Sequence, residues 1–174
     1  MKKIFAFALA LTLLAACAPT TAQPANLPAP QVSSKPFLTV FFDISGVLAR
    51  SFPPAVFTNA YQNVLKANNY RFAAERGLTA CQPLSGYDPQ AISRRVKIDN
   101  SGKVLMIGIV IASSVNPKVT VCATFIASTG VKTAVVTSSV ERTSDASAYP
   151  SLNDAIAALT TQAVTDVIAA EETR

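Results

Sequence analysis

Between residues 91 and 142, four β-rich runs are separated by three short turn signals, and no other stretch restricts the fold as tightly. The runs are 91–98, 103–112, 118–127 and 131–142. Asp99-Asn100-Ser101-Gly102 separates the first pair, 113–117 the second, and Ser128-Thr129-Gly130 the third. Connections this short hold no crossover helix, so successive strands run antiparallel. The spacing therefore predicts a four-stranded meander. The run KVLMIGIVIA, 103–112, is apolar almost throughout, which predicts the central strand.

The flanking segments add one strand and two helices. FLTVFFD, 37–43, reads as an N-terminal strand bounded by Pro36 and Gly46. After Pro53-Pro54 a helix is predicted over 54–68. Val56, Phe57, Ala60, Tyr61, Val64 and Leu65 form its apolar stripe, and Asn68-Asn69 end it. Residues 70–74 suggest a further short strand, and 75–90, with two glycines and two prolines, a loop. A closing helix is predicted over 151–170, its stripe built on residues such as Ile156, Leu159, Val164 and Ile168, and Ser151 with Asp154 reads as a capping box. Together these predict an α+β fold. Its sheet is mostly antiparallel, a four-stranded meander plus an N-terminal strand, with two amphipathic helices packed on one face.

Composition limits the function. The chain has 174 residues, half of them apolar and 14% charged, enough for one globular domain with a core. No run reaches eighteen apolar residues, so no conventional spanning helix is expected. The formal charge is +5, and setting Lys2 and Lys3 aside leaves thirteen basic against ten acidic residues, a net +3. That is too mild to argue for nucleic acid. Arg94, Arg95 and Lys97 alternate with Ile92, Val96 and Ile98, which reads as the solvated face of a strand. The alternative is contact with an anionic surface such as lipid headgroups.

The chain contains no histidine, which removes Ser-His and Cys-His nucleophile pairs, imidazole acid–base chemistry and His metal sites. The carboxylates are scattered, and only Glu171-Glu172 are adjacent, in what reads as a fraying terminus. Cys81 and Cys122 are too few to build a thiolate metal site. No cofactor and no metal are expected. Cys122 falls on the strand face that carries Thr120 and Thr124, while Val119, Val121, Phe125 and Ala127 take the other. Two readings stay open for it: a disulfide with the loop residue Cys81, or two reduced thiols.

Residues 1–16 read as a secretory signal. Met1-Lys2-Lys3 is its positive start, and 4–16 is an apolar stretch too short to remain as a span. Leu14-Ala15-Ala16-Cys17 resembles the lipobox of bacterial lipoproteins. The resemblance implies that the Cys17 thiol receives a diacylglycerol, that the chain is cut before it, and that the new amine is acylated. Ala18, where an aspartate would hold such a protein at the inner membrane, implies the periplasmic face of the outer membrane. An ordinary signal cut near Ala22 is the alternative. Residues 18–36 carry five prolines and no charge before Lys35, which predicts an extended tether of about 50 Å at ~3.1 Å per residue. The expected organisation is a leader over 1–16, the lipidated cysteine and tether over 17–36, and one periplasmic domain over 37–174.

VFFDISGVLARS, 40–51, resembles the first motif of the haloacid dehalogenase-like hydrolases. By that match Asp43 is a phosphoryl-attacking nucleophile, Ser113-Ser114 stand at the second motif, and Lys118 follows. The family's second aspartate is Ser45 here, and no later strand ends in paired acids. The order of lipobox, tether, strand, helix, antiparallel strands and terminal helix resembles, in layout alone, the small YajG-like and LptE-like outer-membrane lipoproteins. These readings imply no enzyme but an accessory or assembly subunit of an envelope transport or secretion complex. Its partners would be the membrane, through acyl chains, and an envelope protein. A lipid- or glycolipid-binding module is the alternative, and a phosphohydrolase using Asp43 the remote one.

Overall fold

The computed structural model describes residues 35–48, 53–77, 81, 103–128 and 134–174. The leader, Cys17, residues 18–34 of the tether and the basic run 91–98 lie outside these. In chain order the elements are β1 (Leu38–Gly46), α1 (Pro54–Ala67), β2 (Phe72–Arg76), β3 (Lys103–Ala112), β4 (Lys118–Ser128), β5 (Ala134–Asp145) and α2 (Leu152–Glu172). A single 3-10 turn, Ala146–Ala148, links β5 to α2. The strands form one five-stranded sheet in the order β2-β1-β3-β4-β5.

The two longest ladders, β3 with β4 and β4 with β5, are antiparallel. β1 lies parallel to both β2 and β3. The α+β class and the mostly antiparallel sheet follow the sequence pattern, and so does the central place of β3. The meander differs in extent. It comprises β3, β4 and β5, and the fifth strand is β2. The run 91–98, expected as the first strand of the meander, lies outside the described residues, and both edges of β3 are taken by other strands. β1 occupies one from Leu38↔Lys103 to Gly46↔Ile111, and β4 the other from Lys103↔Ala127 to Ala112↔Lys118. The parallel β1–β2 pair is reached through α1, the long crossover such a pair requires.

Both helices cover one face. Leu38, Val40 and Ile44 of β1, the odd positions 105–111 of β3 and 119–125 of β4 pack against Phe57, Tyr61 and Leu65 of α1 and Ile156, Leu159, Val164 and Ile168 of α2. A second, smaller cluster of Phe41, Val104, Met106, Cys122 and Ile126 is buried on the opposite face. β3 is thus buried on both sides, the physical reason for its unbroken apolar run.

The helix ends follow local chemistry. Proline at the first position of α1 needs no hydrogen-bond partner for its missing N–H. At the other end the Asn68 side chain donates to the Val64 carbonyl, and Asn69 takes a left-handed φ of 59°. In α2 the Asp154 amide donates to Ser151 Oγ at 3.1 Å, and that hydroxyl donates to Asp154 Oδ2 at 2.7 Å.

Gly46 closes β1 with φ 101°. A Cβ there would lie 2.1 Å from the Ile111 carbonyl oxygen and 2.8 Å from its nitrogen. Gly46→Ala must therefore strain the backbone or part β1 from β3. The expected loss is roughly 3 kcal/mol of stability, read by chemical denaturation, with an unchanged midpoint as the contrary result.

Candidate interaction surface

β5 is a twelve-residue edge strand, and among the described residues it has a neighbour, β4, on one side only. Half of the backbone N–H and C=O groups of an edge strand point away from the sheet. Positions 134–140 carry no charge, whereas Glu141, Arg142 and Asp145 guard the far half. A register shift between Phe125 and Ile126 pairs Ser138 with Phe125 and Val136 with Ile126, which leaves Thr137 as the extra residue of a bulge. α2 supports the strand from the helix-bearing face. Arg142 donates to Asp166 Oδ2 from Nη2 at 2.6 Å and from Nε at 2.9 Å, and Ser138 Oγ donates to Glu171 Oε2 at 3.1 Å. Val135, at the start of β5, is 49% exposed.

The threonine-bearing face of β4 and β5 is largely satisfied within itself. Thr120 and Thr143 share a hydrogen bond of 2.9 Å, and Thr124 shares one of the same length with Ser139. These hydroxyls act as cross-strand rungs. Cys122 lies on this face and is joined to Cys81 by a disulfide, with Cα atoms 5.2 Å apart.

Glu171 and Glu172 are not a frayed end. Both lie in the last turn of α2, which contains no basic residue of its own. Carboxylates there oppose the helix dipole. Lysines from outside the helix offset them. Lys103 Nζ donates to Glu171 Oε1 at 2.8 Å, Lys35 Nζ pairs with Glu172, and the same ammonium stands 4.5 Å from the centre of the Tyr70 ring. The Glu171 side chain is only 7% exposed. Burial alone would push its carboxyl up, but hydrogen bonds from Lys103, Thr137 and Ser138 outweigh this and hold it below the usual carboxylate range. Burial pushes the Tyr70 phenol up, against the opposing pull of Lys35. The single sequence supplied no signal for this cluster, because its members are brought together from residues 35, 70, 103, 138, 171 and 172.

The hydrolase-like motif is not assembled. Asp43 sits within β1, in register with Gly108, five positions before Ser113. At roughly 3.3 Å per residue the separation is about 16 Å, too far for one phosphoryl group. The Arg76 Nε lies 3.7 Å from Asp43 Oδ1. Ser45, at the family's acid–base position, donates to the Ile109 carbonyl instead. Among the described residues no three His, Cys, Asp or Glu side chains are grouped to hold a metal ion.

The layer between helices and sheet is filled by side chains. Phe57, Tyr61, Leu105, Ile107, Ile109 and Ile156 are fully buried there, and the rings of Phe42, Phe57, Tyr61 and Phe72 stack edge to face or tilted. Burial pushes the Tyr61 phenol up. An acyl chain would have to displace these groups. Among the described residues no helix is long and apolar enough to cross a membrane.

Comparison with protein-family models gives no match, and comparison with curated proteins gives none. Among solved structures, the chain is similar to a dodecamer of a PelC point variant from Paraburkholderia phytofirmans. Identity is 15%, with 80% of this chain and 90% of that one covered and a TM-score of 0.45. The hypothetical protein CT253 from Chlamydia trachomatis is similar at 10% identity, 80% and 97% coverage and a TM-score of 0.48. The LpoB C-terminal domain from Salmonella enterica is similar at 10% identity, 66% and 86% coverage and a TM-score of 0.37. At these identities and scores the likenesses bear on neither partner nor activity.

Proposed function

We propose that this protein is a lipid-anchored, non-enzymatic accessory of an envelope assembly, and that it docks an extended segment of a partner protein along β5. The anchor rests on the sequence of Leu14-Ala15-Ala16-Cys17 and the proline-rich stretch after it. The docking site rests on one observation: a twelve-residue edge strand, uncharged over 134–140, that α2 holds rigid from behind. Natural sheets guard such edges with charge or short length. An edge without charge over seven residues, and without a second neighbouring strand among the described residues, gives a partner strand its backbone hydrogen bonds, and the side chains on alternating faces give selectivity.

The test is in-cell cross-linking of C-terminally tagged protein, capture from mildly solubilised membranes, and mass spectrometry. One stoichiometric envelope complex is expected. Val135→Lys places a charge in the uncharged half of the edge, at a half-exposed position, and is expected to weaken capture by about tenfold or more while stability stays within about 0.5 kcal/mol. Capture unaffected by Val135→Lys would move the docking site off the β5 edge. Bound lipid with no protein partner would replace the accessory reading by lipid handling.

A further inference from the structure

We propose that Lys35 is a clasp that fixes where the chain enters the domain, beside the last turn of α2 and at the end of the sheet where β5 begins. On the lipid-anchor reading above, the clasp makes a tethered domain carry the Val135 end of its open edge toward the bilayer.

A segment three residues ahead of its first strand ordinarily frays. Here three groups hold it. The Lys35 ammonium pairs with the Glu172 carboxylate and lies over the Tyr70 ring, and the Leu38 amide donates to the Arg71 carbonyl at 2.9 Å. The receiving groups are themselves fixed. The Tyr70 amide donates to the Leu65 carbonyl at 3.0 Å and its ring lies 6.4 Å from that of Phe125. Glu171, next to Glu172, is held by Lys103 and Ser138. An exposed ion pair adds little stability. What this one changes is position, because it ties the first described residue to an element more than a hundred residues later in the chain.

The place of the clasp sets a direction. Leu38, Lys103, Ala127 and Val135 stand in one row across the sheet. Gly46, Ile111, Val119 and Ser144 form a row at the other end, about 26 Å away at roughly 3.3 Å per residue. Beyond that far row lies the turn containing Val115, which is 85% exposed. Chain entry at the near row puts Lys35 at the Val135 end of the domain and leaves Val115 at the other end.

Two readouts test this on the full chain. The first is acetylation of lysines in detergent micelles, followed by mass spectrometry. Lys35 is expected to react about fivefold slower than the exposed Lys66, and Glu172→Gln to bring the two rates together while Lys103 stays slow. Equal rates in the wild type, or no change with Glu172→Gln, would overturn the clasp. The second uses lipidated protein in phosphatidylethanolamine–phosphatidylglycerol vesicles that carry an acceptor dye, with a donor attached after Val135→Cys or Val115→Cys. Stronger energy transfer from position 135 is expected, with the difference shrinking when Lys35→Ala is added. Equal transfer from both positions would overturn the orientation. Failure of the protein to float with vesicles, with Lys35 still protected, would overturn the anchor reading and leave the clasp in place.

Discussion

Cys17→Ser is expected to abolish acyl incorporation and to remove the protein from the outer-membrane fraction. On the lipid-anchor proposal the Cys17 thiol is the nucleophile that takes the lipid at the end of Leu14-Ala15-Ala16-Cys17, and serine's hydroxyl is a far weaker one. Membrane binding gains about 0.8 kcal/mol per buried methylene, so one acyl chain holds only marginally, while three make dissociation negligible. Metabolic labelling with palmitate and membrane fractionation read the effect, and the outer-membrane share should fall by at least about a hundredfold. An unlabelled wild-type protein with unchanged fractionation in the variant would instead support an ordinary signal cut near Ala22.

The paired substitution Cys81→Ala and Cys122→Ala is expected to lower stability by about 4 kcal/mol, because the bond closes a separation of 41 residues in the unfolded chain. For a domain of this size that is a fall of roughly 10–15 °C in Tm. Reduction of the wild type with a dithiol should reproduce it. Calorimetry with and without reductant checks both. A wild-type Tm that ignores reductant, together with rapid alkylation of both thiols in untreated protein, would contradict the bond. Cys122 belongs to the buried cluster of Phe41, Val104, Met106 and Ile126, and Cys81 packs against it. Loss of the bond therefore also releases an apolar contact on the face opposite α1 and α2.

Elements whose signal is local were legible in the sequence. β3 declared itself by its apolar run, and α2 by its stripe and by Ser151 and Asp154 at its start. α1 ended at Asn68-Asn69 because asparagine accepts the left-handed turn that residue 69 adopts. What escaped depends on distant residues. The turn signal at 99–102 suggested a hairpin, but β1 already fills that edge of β3, and nothing near 103 announces a partner at 38. Glu171 and Glu172 looked unheld because their lysines come from residues 103 and 35. In the sequence Thr120 and Thr124 only marked one face of β4, and their use as rungs to Thr143 and Ser139 needed the register of the two strands. Asp43 carried a motif-like surrounding, yet the register that parts it from Ser113 is invisible in a one-dimensional match.

The parallel seat of β1 between β2 and β3 has a kinetic meaning for a chain that, on the lipid-anchor proposal, is delivered across a membrane from its N-terminal end. β1 emerges early, but its ladder with β3 joins residues 65 positions apart, from Leu38↔Lys103 onward. Closing so long a loop is slow compared with zipping β3, β4 and β5 through their short turns. Until residues 103–112 arrive, Leu38, Val40 and Phe41 have β2 on one side and lack their neighbour on the β3 side. The same topology that gives the finished sheet a doubly buried centre thus leaves one side of its first-delivered strand waiting for a partner 65 positions later.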